Sequence, residues 1–423
     1  MNTSSSIPSP APGTSFRSPA RIPDPEFADR RLRAARAARE AGFDGLLVVG
    51  RSSGSLDMCF NVHWLTRHYF VPPAVVPTGF WHSYGFDFLV IDGDGRSALA
   101  SCGTTDPPVI DDIRLGLDVE QLAVDLVRDL DLERGRLALV GSEILPWTVA
   151  HRLQREFPHL VLKPADLLMA QLRLTLSDAE CDMVRQSVGA GSRMLNAGLA
   201  VARPGATDGD VAAAGWGMAA RTQRQQHWNF IMASGPIAGE YAAGSLPSWD
   251  PVRRYEPGDM IHPDCYGYVD GYMYDVQRTV IVGARPTPRQ QWLIDGSWDQ
   301  AQTLGNALRD GITCREIYEI GTRFAEGRGY RGRDEVRQSW EEGGHFGHGY
   351  SSGFDWPWLG VTGPLVDEPL KAPFAVTIEL YWQERGVGQA WVEENWLVLP
   401  NSSERLSASL PKTLGPNGEP TWV

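Results

Sequence analysis

The segment from residue 264 to residue 279 constrains the fold of this chain most strongly, because it places acidic residues on both sides of a turn signal. It reads DCYGYVDGYMYDVQRT, with Asp264 at its start and Asp275 after the dipeptide Asp270-Gly271. Tyrosine- and valine-rich runs joined by Asp-Gly predict two antiparallel strands and a tight hairpin turn. The hairpin returns Asp275 towards Asp264. Two ionised carboxylates at close range repel, and a divalent cation between them resolves the conflict.

Two further regions offer metal ligands. The glycine-rich run GGHFGHG contains His345 and His348, and its missing side chains leave room around an ion. Glu379 lies in the apolar run VTIELYW, and Glu394 precedes the run WLVLP. A carboxylate buried in a strand needs a partner. Each glutamate alone also fits an outward-facing strand position, and acidic residues beside a solvated hairpin are common, so the metal hypothesis depends on the whole set.

The length of 423 residues exceeds what one hydrophobic core usually supports, which predicts two domains. Residues 1–25 are rich in serine and proline and lack the apolar stretch of a secretory signal, so a disordered tail is expected there. A helical composition over residues 27–41, followed by the apolar run GLLVVG, predicts an α/β first domain over residues 26–168. A second domain then occupies residues 169–423.

The second domain contains several sequence signals for the start of a helix. Ser177 and Glu180 form a capping box, which predicts a long helix from there. The pattern G-x-T-x-x-acid-aliphatic occurs twice, with Thr207 and Thr313 as the N-cap residues. The repetition indicates either two related halves or a coincidence of helix-start chemistry, and the pattern leaves both open.

Composition excludes several function classes. A formal charge of −13 disfavours nucleic acid as a partner, and no apolar run is long enough to cross a bilayer. The cysteines are scattered without a CxxC spacing, which predicts neither a disulfide framework nor a thiolate zinc site; they are Cys59, Cys102, Cys181, Cys265 and Cys314. We therefore expect a cytoplasmic protein that acts on a small molecule.

Taken in order, these residues resemble the pita-bread metalloenzymes, a family that includes Xaa-Pro aminopeptidases, prolidases, methionine aminopeptidases and the metal-free creatinases. The resemblance covers most of the chain and is strongest from Leu172 to Ser407. Its motifs are Arg173, Ser177, Glu180, Ala233-Ser-Gly-Pro236, Pro257-Gly258-Asp259, Asp264, Asp270-Gly271-Tyr272, Asp275, Arg278-Thr279, Gly347-His348-Gly349, Thr377-Ile378-Glu379 and Glu394-Asn395. The stretch with Asn61 and Trp64 is similar to the family's N-terminal domain.

The resemblance implies an α/β (α+β) fold, with a creatinase-like N-terminal domain before a pita-bread domain of pseudo-twofold halves. It implies two divalent ions, with Asp264 binding one, His348 and Glu379 the other, and Asp275 and Glu394 bridging the pair. Because creatinases lack these carboxylates, the chain looks like a metal-using branch. Oxygen ligands with one imidazole suit manganese, iron or cobalt, and zinc stays open. The resemblance also implies a homodimer in which one chain's first domain closes the other's cleft.

The substrate-handling residues depart from those of the family's peptidases. No histidine follows the Ser-Gly-Pro stretch in IAGEYAAGS, and SSGFDWPW stands where a His-Glu pair is expected. Leu380 replaces the proline expected after the first ligand glutamate. These departures argue against ordinary peptide cleavage.

Other residues are candidates for the acid–base role. His262 precedes Asp264 by two positions, so on a strand the two side chains share a face. His345 is a second candidate, and Asp355 beside Trp356 is a third. A structural role is the alternative for His262. Tryptophans also follow the ligands along the chain, where they predict core packing or an aromatic wall for a cationic or cyclic substrate; they are Trp356, Trp358, Trp382, Trp391 and Trp396.

The leading hypothesis is a metal-dependent hydrolase that cleaves a C–N, amide-like bond of a small non-standard substrate through a hydroxide bridging two ions. Three alternatives remain: an Xaa-Pro aminopeptidase or prolidase, a metal-dependent lyase similar to dimethylsulfoniopropionate lyases, and a non-catalytic binding module. A complete ligand set argues against the last, because loss of function would be expected to erode it.

Overall fold

The computed structural model describes residues 21–52, 58–72, 79, 81–104, 108–222, 225–235, 238, 250–329, 337–338 and 343–421. For residues 222, 225–229, 337–338 and 355 the description covers the backbone alone. Most of the predicted tail therefore lies outside the described residues. The first helix begins at Asp24, two residues before the predicted start of the first domain.

The N-terminal part of the chain forms a mixed sheet between helices. Its strands follow the order β4-β3-β2-β1-β5-β6, in which β1 pairs antiparallel with β2 and parallel with β5. The elements are α1 (Asp24–Glu40), β1 (Gly45–Arg51), α2 (Phe60–Thr66), β2 (Phe86–Asp92), β3 (Ser97–Ser101), β4 (Asp112–Leu115), α3 (Val119–Asp129), β5 (Arg136–Val140), α4 (Trp147–Glu156), β6 (Val161–Pro164) and α5 (Asp166–Leu174). The α/β pattern predicted from the apolar runs is confirmed.

The C-terminal part is built around a larger sheet. Its main path is β14-β13-β15-β16-β10-β9-β7, with β12 beside β15 and β17 beside β16. The elements are α6 (Asp178–Leu199), α7 (Asp208–Thr222), β7 (Gln225–Ile231), β8 (Met260–Ile261), β9 (Asp264–Val269), β10 (Tyr272–Gln277), β11 (Val280–Ile281), α8 (Pro288–Ala307), α9 (Cys314–Gly327), β12 (Arg337–Gln338), β13 (His345–Tyr350), β14 (Phe354–Gly360), β15 (Phe374–Glu384), β16 (Gly388–Leu399), β17 (Ser402–Arg405), β18 (Thr413–Leu414) and β19 (Pro420–Thr421).

Helix caps appear where the sequence predicts them. The Ser177 hydroxyl accepts a hydrogen bond from the backbone N–H of Glu180, whose carboxylate accepts one in return from the Ser177 N–H. Thr313 forms the same capping box with Glu316 at the start of α9. Thr207 and Asp210 exchange equivalent bonds at the start of α7. These reciprocal bonds satisfy backbone donors that a helix leaves unpaired at its first turn.

The two helix pairs pack against equivalent parts of the large sheet. In the first, α6 brings Gly191 against Tyr274 of β10. In the second, α8 brings Gly296 against Trp382 of β15, and Gln300 of α8 accepts a hydrogen bond from the Trp382 indole at 2.8 Å. Side chains alternate between the two faces of a strand. The even-numbered residues of β10, β15 and β16 therefore face the helices, and the odd-numbered residues form the opposite face.

Buried hydrogen bonds join the first helices to the large sheet. The Arg30 guanidinium lies 3.0 Å from the Glu180 carboxylate and donates to the Tyr272 hydroxyl, also at 3.0 Å. The Trp64 indole donates to the same glutamate at 2.8 Å. Arg30, Trp64 and Glu180 are each at most 1% exposed. These contacts anchor α1 and α2, which carry Arg30 and Trp64, on α6.

The hairpin turn between β9 and β10 yields a first prediction. Gly271 has φ +85°, and a β-carbon there would collide with the His63 ring of α2. Gly258 has φ +95° but no neighbour in reach of a β-carbon. Gly271→Ala is expected to lower the free energy of unfolding by about 2–5 kcal/mol, against about 1–2 for Gly258→Ala. Urea unfolding measures both, and equal losses would show that the His63 contact contributes nothing.

Candidate metal centre

The hairpin brings Asp264 and Asp275 together as the sequence predicts. Asp270 and Gly271 both have positive φ, as a tight two-residue hairpin turn requires. In the resulting register Gln277 pairs with Asp264, and Asp275 pairs with Tyr266. The two aspartates are thus diagonal neighbours on adjacent strands and share the open face of the sheet, away from the helices.

Two glutamates join them from the neighbouring strands. Glu393 of β16 pairs with Gln277 of β10 on one side and with Glu379 of β15 on the other. Residues paired directly across strands share a face. Carboxylate oxygens of Asp264, Asp275 and Glu393 lie within 4.8 Å of one another, and all three residues are buried. Glu379 keeps 22% of its side chain exposed, so the cluster opens towards solvent on that side.

His348 completes the cluster from β13, where it pairs with Thr377 of β15. Its Nε2 lies 3.8 Å from the Asp275 carboxylate and 3.6 Å from that of Glu379. Its Nδ1 lies 2.9 Å from the Gly349 carbonyl oxygen, which can only accept, so Nδ1 carries the proton. Burial lowers the pKa of His348 to about 3. The ring is therefore neutral, with the Nε2 lone pair aimed at the carboxylates, as a metal ligand requires.

The electrostatics of the cluster suit a bound cation. Burial and the charge of Asp275 raise the pKa of Asp264 well above its usual range, and the same causes raise that of Glu393. Burial raises the pKa of Glu379 to about 7. One oxygen of Asp264, one oxygen of Glu393 and Nε2 of His348 are buried without a hydrogen-bond partner. Four carboxylates and one imidazole are ligand types that fit a hard or borderline divalent ion.

The expectation that Glu394 bridges the metal ions is not met, because Glu394 faces the helices. Its carboxylate binds the guanidinium groups of Arg278 and Arg405 and accepts a hydrogen bond from Ser407 at 2.8 Å. Glu393, one residue earlier in β16, lies at the cluster instead. In β16 both faces are buried, so the sequence shows no polar–apolar alternation from which to choose between adjacent glutamates. Pairing of Glu393 with Glu379 and Gln277 places Glu393, and not Glu394, on the face that carries the cluster.

The candidate acid–base residues lie at different places around the cluster. His262 is buried, its Nε2 donates to the Ala238 carbonyl oxygen at 3.2 Å, and its ring centre is 6.0 Å from that of Trp391. His345 is half-buried at the start of β13, with its ring 4.8 Å from Trp358. Asp355 lies in β14, where its backbone pairs with Gly349, and its side chain lies outside the described residues.

The aromatic residues divide between the two faces. Trp382 and Trp396 pack against Gly296 and Gly305 of α8 and belong to the core. Trp391 lies on the open face beside Tyr381, with ring centres 5.4 Å apart. The Phe354 ring stacks on the His348 imidazole at 3.7 Å, and no sequence pattern singled it out. This stacking holds the orientation of the His348 ring.

The fold and this acidic cluster are those expected of the pita-bread family. A profile of metallopeptidase family M24 matches residues 182–400, which is more than half of the chain. The chain belongs to metallopeptidase family M24. Asp264, Asp275, His348, Glu379 and Glu393 all lie within the matched region.

Curated relatives match much of the chain at low identity. An uncharacterised hydrolase/peptidase of Sinorhizobium fredii is 25% identical over 70% of this chain and 75% of its own length. An Xaa-Pro dipeptidase of Pyrococcus horikoshii is 21% identical over 62% of this chain and 71% of its own.

Solved structures match the fold. The dipeptidase PepE of Mycobacterium ulcerans superposes with a TM-score of 0.70 at 20% identity, covering 91% of this chain and 96% of that one. The prolidase of Pyrococcus horikoshii gives a TM-score of 0.68 at 18% identity, covering 90% and 98%. These matches extend across nearly the whole chain and confirm the predicted fold class. In the part of the chain that the structure describes, no helix is long and apolar enough to cross a membrane.

Proposed function

We propose that this chain is a metal-dependent hydrolase that cleaves a C–N bond of a small, amide-like substrate. The observation that supports it best is the convergence of four carboxylates and the neutral imidazole of His348 on one open face of the sheet. A buried cluster of this charge needs cations to be stable. Membership in a family of metallopeptidases supports hydrolysis as the reaction class.

The arrangement supports two neighbouring ion positions. Asp264 and Asp275 would hold one ion, and His348 and Glu379 would hold the other. Glu393 stands between both groups, since it pairs with Glu379 across the strands and its carboxylate lies within 4.8 Å of those of Asp264 and Asp275. Divalent ions, with manganese, iron or cobalt preferred and zinc open, would supply Lewis acidity and a water of lowered pKa. Phe354 and the Gly349 carbonyl hold the His348 ring in the orientation that this requires.

The surroundings of the cluster favour a substrate other than an Xaa-Pro peptide. The sequence lacks the two substrate-handling histidine positions of the peptidases it resembles, and Leu380 follows Glu379 where proline is expected. The chain keeps the proposed metal ligands but differs at the positions that handle the peptide. This combination supports a substrate with an amide bond that is not an Xaa-Pro peptide. A lyase is the second candidate, with Asp355 as the base. The predicted homodimer stays a proposal.

Turnover in ¹⁸O-labelled water tests the reaction class once a screen of small amides has found a substrate. Hydrolysis is expected to place one solvent oxygen in the acyl product, because water supplies the oxygen that replaces nitrogen. Asp355→Asn is expected to keep most of the activity. An unlabelled product with a new double bond, together with loss of activity in Asp355→Asn, would replace the hydrolase by the lyase.

Xaa-Pro dipeptides and tripeptides are expected to be poor substrates even when manganese or cobalt is supplied. Loss of a positioned acid–base group usually lowers a rate by about 100- to 10,000-fold, and two such positions differ here. Release of the N-terminal residue can be followed by chromatography, with an Xaa-Pro dipeptidase assayed in parallel as the positive control. A rate matching that control would favour the peptidase alternative.

A further inference from the structure

A row of uncharged side chains leads away from the metal cluster along the open face of the β15–β16 hairpin. Tyr381 pairs with Trp391, and Gln383 pairs with Gln389, both in register with the Glu379–Glu393 pair. Successive same-face residues in a strand are about 7 Å apart. The aromatic pair therefore stands about 7 Å from Glu393, and Gln389 stands about 13 Å away.

Two members of this row have buried polar atoms with no partner. Both the amide nitrogen and the amide oxygen of Gln389 lack a hydrogen bond, and the residue is 0% exposed. The indole N–H of Trp391 also lacks one, and Trp391 is 3% exposed. A buried polar group without a partner is costly, and the large majority of such groups in folded proteins are paired. These unused groups indicate a ligand.

His262 lies beside this row. The centre of its ring is 6.0 Å from that of the Trp391 ring, and Asp264 follows it by two residues along the chain. The row therefore begins at the acidic cluster and ends at Gln389.

The chemistry of the unused groups defines what they recognise. A glutamine side chain offers two N–H donors and one carbonyl acceptor, and an indole offers one donor. A ligand group that pairs with both the Gln389 amide and the Trp391 indole is planar and uncharged. It presents a carbonyl acceptor beside an N–H donor. Tyr381 and Trp391 add aromatic faces for a flat, apolar body. A carboxylate would leave the glutamine carbonyl unpaired, and an ammonium would leave the N–H donors unpaired.

We propose that Gln389 and Trp391 form a recognition subsite for a neutral carboxamide carried by the substrate, displaced from the bond that is cleaved. The proposal rests on the proposed hydrolase function and narrows its substrate class to molecules with a second amide-like group. Gln389 and Trp391 determine which substrate binds, and the metal ligands hold the ions that promote the reaction.

Binding of three probes of matched shape tests the subsite. Benzamide, benzoate and benzylamine are titrated into the metal-loaded wild-type protein and followed by NMR. Benzamide is expected to bind at least about tenfold more tightly than the two charged probes, and about tenfold more weakly to Gln389→Leu and Trp391→Phe. Gln300→Leu is the matched control, because Gln300 already bonds to Trp382 and to the Gly321 carbonyl. It should lower the melting temperature and leave benzamide binding unchanged.

Gln389→Leu should instead keep or raise the melting temperature, because it removes unpaired polar atoms. Absence of benzamide binding to the wild type, equal binding of the three probes, or unchanged benzamide affinity in Gln389→Leu would overturn the subsite. A fall in melting temperature like that of Gln300→Leu would also overturn it, since Gln389 would then have a protein partner. Elemental analysis separates the two proposals. A protein that binds benzamide as expected but holds no divalent metal would refute the hydrolase and keep the subsite.

Discussion

Glu393→Gln is expected to lose most of the bound divalent metal, with metal affinity falling by at least about 100-fold and activity falling in parallel. The reason is the position of Glu393 on the strand between those of Asp275 and Glu379, where its carboxylate stands beside both proposed ion positions. Glutamine keeps the shape but removes the negative charge and one acceptor oxygen. Elemental analysis of purified protein measures metal per chain, and titration with manganese measures affinity.

Glu394→Gln is the matched control, because it makes the same chemical change one residue along the same strand. Glu394 contacts Arg278, Arg405 and Ser407 on the helix side of the sheet, so its replacement should leave metal content unchanged. The opposite result, with metal lost from Glu394→Gln and kept in Glu393→Gln, would show that the strand register places the other glutamate in the site.

Arg278→Met is expected to lower the free energy of unfolding by about 3–5 kcal/mol, the largest stability effect that we predict. Arg278 is 0% exposed and donates to the carbonyl oxygens of Pro411 and Glu393, each at 2.7 Å, as well as to the Glu394 carboxylate. Methionine fills similar volume but leaves Glu394 with Arg405 as its remaining cationic partner and removes a donor from the carbonyl oxygens of Gln277, Pro411 and Glu393. Urea unfolding measures the loss.

Arg315→Met provides the comparison for that experiment. Arg315 pairs with Asp367 on the surface, where 43% of the arginine side chain is exposed. Exposed ion pairs are worth about 0–1 kcal/mol, so this variant should be nearly as stable as the wild type. Similar losses in both variants would mean that burial of Arg278 adds nothing to its contribution.

Interactions between residues close together in the chain allowed much of the fold to be predicted from the sequence. The Asp270-Gly271 turn predicts the hairpin that brings Asp264 to Asp275, because few residues adopt the positive φ angles of such a turn. The caps at Ser177 and Thr313 predict helix starts, since their side chains satisfy backbone donors within three residues. His348 and Glu379 were identified by their motifs and lie at the cluster. Each of these features depends on neighbours in the chain.

The tertiary structure decided what depends on strand pairing and contacts between distant segments. Adjacent glutamates in the buried strand β16 differ only in which face they occupy. Pairing with β10 and β15 puts Glu393 beside Asp275 and Glu379, and it puts Glu394 against Arg278. Stacking of Phe354 on His348 and the isolation of the Gln389 amide likewise arise between strands. The sequence by itself determined the chemical groups of the centre and its local turns and caps. The register of the sheet decided which side chains face one another, because moving a strand by one residue exchanges its two faces.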